Sequence, residues 1–159
     1  MTTQQPDATR LDRNWDELLQ ELRVTQTGVQ LLSGFLLTVP FSSRFEDLDR
    51  VQHATFLAVF SGSVLATALL VAPVAFHRLL FRQHQRRWLV EAANLCARAG
   101  LTVLALTTSG VLFLVYDLVV PRELAASAGA LTASLFVMLW VVLPLLVVRS
   151  RGVDALTEE

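Results

Sequence analysis

The chain has 159 residues, of which 53% are hydrophobic and 17% are charged. Water-soluble domains carry roughly 25% charged residues, so this composition excludes an ordinary soluble domain. The length allows one compact domain. A formal net charge of −1 argues against electrostatic binding of nucleic acid.

Four apolar stretches predict membrane-spanning helices, each of which needs about 20 mostly apolar residues. Residues 54–76, 99–120 and 124–148 meet this length, and the only charged residue among them is Asp117. The fourth stretch, 24–41, is shorter and contains Gln26 and Gln30. Its charge-free length still allows about 27 Å of helix. The alternative for this stretch is an amphipathic helix that lies in the membrane interface.

These stretches predict an all-α fold, an integral membrane four-helix bundle formed by residues 11–148. A disordered tail, 1–10, precedes it, and a cytoplasmic tail, 149–159, follows. Within the domain, Leu11–Leu22 predicts a cytoplasmic amphipathic helix, because apolar side chains recur there at helical spacing. The short link Pro121-Arg122-Glu123 predicts an antiparallel hairpin of the last two spans.

The distribution of arginine predicts the orientation, since the chain has no lysine. With four spans, ten arginines lie on the side of the termini and of the 77–98 connection. The opposite side has three, Arg44, Arg50 and Arg122. The positive-inside rule then predicts a multi-pass plasma-membrane protein with cytoplasmic N- and C-termini.

Two polar stripes enter the predicted membrane from the cytoplasmic side. Polar side chains at such depth usually face protein or water. We therefore expect the two stripes to meet in an ion-pair network, with Glu21 or Glu17 near Arg98 and Arg23 near Glu91. The first stripe consists of Arg23, Gln26 or Thr27, Gln30 and Gly34, and the second consists of Glu91, Asn94, Arg98 and Thr102. The candidate network consists of Glu21, Arg23, Gln26, Gln30, Glu91, Asn94 and Arg98.

Asp117 lies near the outer end of the third predicted span. An intramembrane carboxylate is by default a candidate proton or cation site, which makes Asp117 a candidate ionisable transport residue. The structural alternative is an ion pair with Arg122 in the hairpin.

Small residues suggest how the spans pack, because close approach drives helix association in lipid. Ala125, Gly129 and Ala133 recur every four residues and make one smooth face of the last span. A second set, from Ser61 to Ala68, lies in the second span. These faces are expected to make contacts within the bundle or between copies.

No catalytic or ligand motif is present in the sequence. It has no P-loop, dinucleotide-binding glycine pattern, HExxH or G-x-S-x-G. Its single cysteine, Cys96, excludes an intramolecular disulfide and a cysteine zinc cluster. We predict that the protein is not an enzyme and has no metal site or cofactor, and no small-molecule substrate is identifiable from the sequence.

The block from Arg10 to Phe41, RLDRNWDELLQELRVTQTGVQLLSGFLLTVPF, resembles a family of small four-span bacterial membrane proteins of unknown function that is common in actinobacteria. The resemblance continues through VAPVAFHR at 71–78 and AANLCARAG at 92–100. It implies a four-span fold in the plasma membrane and supplies no activity.

Two functions remain open. In the first, the protein is a structural or regulatory module that binds a second copy of itself or another membrane protein. In the second, it is a small proton or cation transporter or channel component that uses Arg23, Gln26, Gln30 and Asp117.

Overall fold

The structure, a computed structural model, describes residues 5–80 and 86–149 and is all-α. Four long helices account for nearly all of these residues. Helix α1 is Gln5–Thr38, α2 is Arg50–Leu80, α3 is Arg86–Asp117, and α4 begins at Arg122. A short 3-10 helix, Val39–Phe41, follows α1 and contains Pro40.

The structure describes α1 from Gln5 onward, so the described helix includes residues 5–10 of the segment predicted to be a tail. The side chains that decide whether Leu11–Leu22 is amphipathic lie outside the described part of the chain, as do residues 150–159 of the predicted C-terminal tail.

Helix α4 changes its winding near its end. It is α-helical over Arg122–Val137 and π-helical over Met138–Val142, and helix continues to residue 149. The π-helical stretch is closed by a hydrogen bond from the N–H of Leu143 to the carbonyl of Met138. Pro144 follows at once, and because proline cannot supply the next helical donor, the wider winding is located where the regular ladder is interrupted.

Helices α2 and α3 are antiparallel and approach closely at glycines. A Cβ atom on Gly62 would collide with the Thr107 hydroxyl, and one on Gly110 would lie 2.6 Å from Val59 Cγ1. Helix α4 packs on α3 through the predicted smooth face, where Ala125 and Gly129 are buried. The small residues therefore set the spacing of the helices, as close packing in lipid requires.

Helix α1 packs along α2 in the antiparallel direction. Val29 belongs to a buried cluster with Ala66 and Leu70, and Leu36 belongs to a second cluster with Phe56. Both clusters use one side of α1 only. The buried apolar side chains of α1 therefore face α2.

The four helices form an open layer in chain order. Helix α1 has only slight contact with α3, and within the described residues α1 and α4 do not touch. A closed bundle would bring the first and last helices together, so the structure does not confirm the predicted four-helix bundle. The physical reason is that, within the chain, α1 packs on α2 and α4 packs on α3, so the two helices lie at opposite edges of the layer.

Three of the described helices are long and apolar enough to cross a membrane: Arg50–Phe76, Glu91–Asp117 and Arg122–Arg149. Two of them begin several residues before the predicted starts at 54 and 99, because charged residues at helix ends can reach the headgroup region. Helix α1 is not among these three, because its composition is less apolar. Its segment Thr25–Gln30 is too polar, so the fourth predicted span is not confirmed.

Candidate functional site

Four polar side chains meet at one end of the helix layer, where α2 begins, α3 ends and α4 begins. We call them the end cluster. They come from positions far apart in the chain, and their contacts tie three helices together. The end cluster consists of Asp49, Gln52, Asp117 and Arg122.

Asp49 and Gln52 form a capping box at the start of α2. One oxygen of Asp49, Oδ1, accepts the backbone N–H groups of Val51 at 2.7 Å and Gln52 at 2.9 Å. In return, Oε1 of Gln52 accepts the N–H of Asp49 at 3.0 Å. These bonds satisfy N–H groups that a helix start leaves without partners.

Asp117 receives a two-point ion pair from Arg122. Nε of Arg122 donates to Oδ1 at 3.0 Å, and Nη2 donates to Oδ2 at 2.9 Å. The Asp117 side chain is only 2% exposed, whereas that of Arg122 is 46% exposed. A carboxylate so well covered needs a partner, and the planar fork of arginine supplies two donors in the right geometry.

Gln52 and Asp49 connect α2 to this pair. Nε2 of Gln52 donates to Oδ2 of Asp117 at 3.0 Å, and Nη2 of Arg122 also binds Oδ2 of Asp49. The amide of Gln52 thus uses its oxygen within α2 and its nitrogen on α3. One guanidinium and one amide thereby fix the relative positions of three helix ends.

The charges of the end cluster favour ionised carboxylates. Hydrogen bonds from the backbone of Gln52 and from Arg122 hold the pKa of Asp49 below its ordinary value, against the opposing effect of burial. Asp49 remains half exposed, so water screens part of this interaction. The role of Asp49 is to connect the start of α2 to the start of α4 through Arg122.

A second polar tie joins α1 to α2 inside the layer. Nε2 of Gln26 donates to the carbonyl of Leu70 at 2.8 Å. Pro73, three residues further along α2, has no N–H and so leaves the neighbouring carbonyl of Leu69 without its helical donor. The amide of Gln26 therefore lies against a stretch of α2 where the backbone ladder is already incomplete.

The structure does not pair the other described residues of the predicted network with one another. Arg23 and Gln30 are exposed on α1, and Glu91, Asn94 and Arg98 are exposed on α3. Among the described residues no ion pair joins the two stripes, because α1 packs on α2 rather than on α3. The side chains of Glu17 and Glu21 lie outside the described part of the chain.

Asp117 has the partner that the structural alternative predicted for it. Its ion pair with Arg122 was foreseeable from their closeness in the sequence, but its contact with Gln52 was not. The capping pattern Asp49-x-x-Gln52 before an apolar run was a usable sequence signal for the other half of the end cluster.

In the part of the chain that the structure describes, no three His, Cys, Asp or Glu residues are grouped so that they could hold a metal ion. Cys96 is a free thiol of intermediate exposure on α3.

Three long apolar helices that pack through glycine and alanine indicate an α-helical, multi-pass membrane protein. The chain belongs to the DUF6328 family, a family of unknown function whose sequence profile matches residues 4–144. No curated protein and no solved structure matches the chain.

Proposed function

We propose that this protein crosses the plasma membrane four times, with both termini in the cytoplasm, and acts as a structural or regulatory module that binds itself or another membrane protein. The observation that carries the topology is the position of α1. It is packed lengthwise against α2, so the depth of α2 sets the depth of α1.

The contacts between α1 and α2 fix their relative level. Gln26 lies level with Leu70, and Leu36 lies level with Phe56. Both positions of α2 are inside the span Arg50–Phe76. When α2 spans the bilayer, α1 from Gln26 to Leu36 therefore lies at membrane depth beside it.

Polar side chains of α1 are compatible with membrane depth where they make hydrogen bonds within the protein. The Gln26 amide binds a backbone carbonyl, and Ser33 Oγ donates to the carbonyl of Val29 at 2.9 Å. Hydrogen bonds of this kind remove most of the penalty for a polar side chain in hydrocarbon.

The charges support cytoplasmic termini. Of the three arginines that this orientation places outside, Arg122 is held by Asp49 and Asp117 in the end cluster. Arg44 and Arg50 share their loop with the acidic residues 46, 47 and 49. The side that carries the termini has the larger excess of arginine, as the positive-inside rule requires of a cytoplasmic side.

Cysteine labelling in intact cells tests the topology. Single cysteines replace Thr2, Ser43 or Thr157 in a Cys96→Ala background and are treated with a membrane-impermeant maleimide. We expect Ser43→Cys to react from outside, and Thr2→Cys and Thr157→Cys to react only after permeabilisation. If Thr2→Cys and Thr157→Cys react from opposite sides, the protein has three spans and the proposal fails.

The end cluster supports a structural or regulatory module more than a transporter. A proton or cation site needs a carboxylate that can exchange its partner, whereas Asp117 is covered and bound by two donors of Arg122 and one of Gln52. The open order of the helices also leaves α1 and α4 at the edges, where a partner can bind.

A further inference from the structure

The side of α1 that faces away from α2 carries an open groove of about 380 Å³. We call this side the α1 outer face. Leu31 and Phe35 contribute large exposed side chains to it, which we call the ridge, and Gly34 lines it without a side chain, which we call the hollow. The α1 outer face consists of Thr27, Gln30, Leu31, Gly34, Phe35 and Thr38.

One polar group on the α1 outer face has no partner among the described residues. The hydroxyl of Thr27 donates to the carbonyl of Arg23 at 3.1 Å, and that of Thr38 donates to the carbonyl of Phe35 at 2.7 Å. The exposed amide of Gln30 makes no such bond within the described chain.

Gln30 lies near the middle of the membrane if the proposed four-span topology holds, and the inference rests on that topology. Its neighbour Val29 packs with Ala66 and Leu70. Ala66 is three residues past residue 63, the midpoint of Arg50–Phe76. At a rise of 1.5 Å per residue this is about 5 Å from the midplane. Lipid offers no hydrogen bond at that depth.

The two helices at the edges of the layer, α1 and α4, differ in the polarity of the side chains that they expose to lipid. Helix α4 exposes apolar side chains such as Leu131, Leu135 and Leu139, which lipid chains solvate well. Helix α1 exposes the amide of Gln30, which lipid chains cannot satisfy. Protein is therefore required at the α1 edge and not at the α4 edge.

We infer that the α1 outer face binds the same face of a second copy, so that the protein is a two-fold dimer with its Gln30 amides hydrogen-bonded to each other. An amide carries both a donor and an acceptor, so two related glutamines complement each other. The ridge of Leu31 and Phe35 on one copy fits the hollow at Gly34 of the other. Polar pairs and small residues are the usual contacts between membrane helices.

Gly34 allows a variant that tests the interface without disturbing the monomer. A Cβ atom on Gly34 meets nothing within 4 Å, and the same holds for Gly28. Gly28 lies about 120° away around the helix, because six residues turn it through 600°. Gly28 does not line the groove, so Gly28→Leu makes the same chemical change outside the α1 outer face and is the matched control for Gly34→Leu.

The test is energy transfer between donor- and acceptor-labelled copies in vesicles, measured as the protein-to-lipid ratio is lowered. Both labels are attached to Thr157→Cys in a Cys96→Ala background. We expect energy transfer from dimers. The dissociation constant of the dimer should rise about tenfold or more in Gly34→Leu and in Gln30→Leu, and it should stay unchanged in Gly28→Leu. At a detergent excess that keeps both variants monomeric, the unfolding midpoint of Gly34→Leu should equal that of Gly28→Leu, which shows that the new side chain does not disturb the monomer.

Three results would overturn the inference: no energy transfer above that of randomly distributed copies, dimers that Gly34→Leu leaves intact, or a different membrane protein cross-linked to this face. Each of these can occur with the termini on one side, in which case the proposed topology survives. If Thr2→Cys and Thr157→Cys are labelled from opposite sides of the membrane, both the four-span topology and the dimer are refuted.

Discussion

The guanidinium of Arg122 binds both carboxylate oxygens of Asp117 across the turn that joins α3 to α4. The same guanidinium reaches Asp49 at the start of α2, 73 residues earlier in the chain. A single side chain thus holds three helix ends in one place. The stability of this end of the layer depends on it.

We expect Arg122→Gln to lower the unfolding midpoint in detergent more than Asp49→Asn does. Without the guanidinium, two carboxylates face each other and that of Asp117 is buried without its cation, which is strongly unfavourable. Arg122→Lys should lie between, since an ammonium cannot bind both oxygens in parallel. Arg44→Gln, a change on an exposed loop, is the control. Equal midpoints for Arg122→Gln and the parent protein would contradict the role of the end cluster.

The stability provided by Asp49 should depend on pH. Its pKa in the folded protein lies below the ordinary value of 3.8, first because of the backbone N–H of Gln52 and then because of Arg122. The ionised carboxylate therefore stabilises the fold above that pH, and the contribution is lost as the pH falls below 3.8 through the folded-state pKa.

The measurement compares unfolding midpoints of the parent and of Asp49→Asn at neutral pH and at about pH 3. We expect Asp49→Asn to be the less stable protein at neutral pH and the difference to shrink at the acidic pH. Asp47→Asn, an exposed change in the same loop, should show no difference at either pH. A gap for Asp49→Asn that stays constant over this range would refute the assignment.

Gly62→Ala should destabilise the contact between α2 and α3. The new methyl group would collide with the hydroxyl of Thr107, and overpacking of this kind costs about 1–3 kcal/mol. The better helix propensity of alanine offsets up to about 1 kcal/mol of this loss. The double variant Gly62→Ala with Thr107→Ala should recover most of the stability, because the colliding atom is gone.

Gly28→Ala serves as the control for that comparison, because the space beside it is open. It should leave the unfolding midpoint unchanged or raise it slightly. If Gly62→Ala behaves like Gly28→Ala, α2 and α3 are further apart than the structure shows.

Proteoliposomes with imposed proton and sodium gradients should show no flux above that of empty liposomes. The carboxylate of Asp117 is held by Arg122 and Gln52, so it is not free to bind and release a cation during transport. A pH-sensitive dye inside the liposomes reports the flux, and circular dichroism shows that the protein is folded. Flux that disappears in Asp117→Asn would establish the transporter instead.

Helices α2, α3 and α4 could be predicted from the sequence, because a long and continuously apolar run satisfies its backbone hydrogen bonds in lipid as a helix, whereas barrel strands alternate in polarity. The small-residue face at Ala125 and Gly129 was also readable, since its spacing of four places it on one side of a helix. The pairing of Asp117 with Arg122 was available as an alternative because the two are neighbours in the chain.

The predicted ion-pair network shows that a single sequence does not reveal which helices contact each other. Gln26 and Gln30 are four residues apart and so differ by only about 40° around α1. This small angle decides that Gln26 contacts α2 and that Gln30 is exposed. Periodicity gives the face of a helix but not the direction in which its neighbour lies. The contact of Asp49 with Arg122 is invisible for the same reason.

The depth of α1 is the central claim, and spin labels measure it directly. Gly28 is two residues after Gln26, and Ala68 is two residues before Leu70, so the antiparallel pair brings them to the same level. Labels at Gly28→Cys and Ala68→Cys, in a Cys96→Ala background, are compared in vesicles for collisions with oxygen and with a polar nickel complex. The account predicts that both labels prefer oxygen and report the same depth in the hydrocarbon. A Gly28 label that collides with the nickel complex as readily as a label at Ser43 would show that α1 does not cross the membrane.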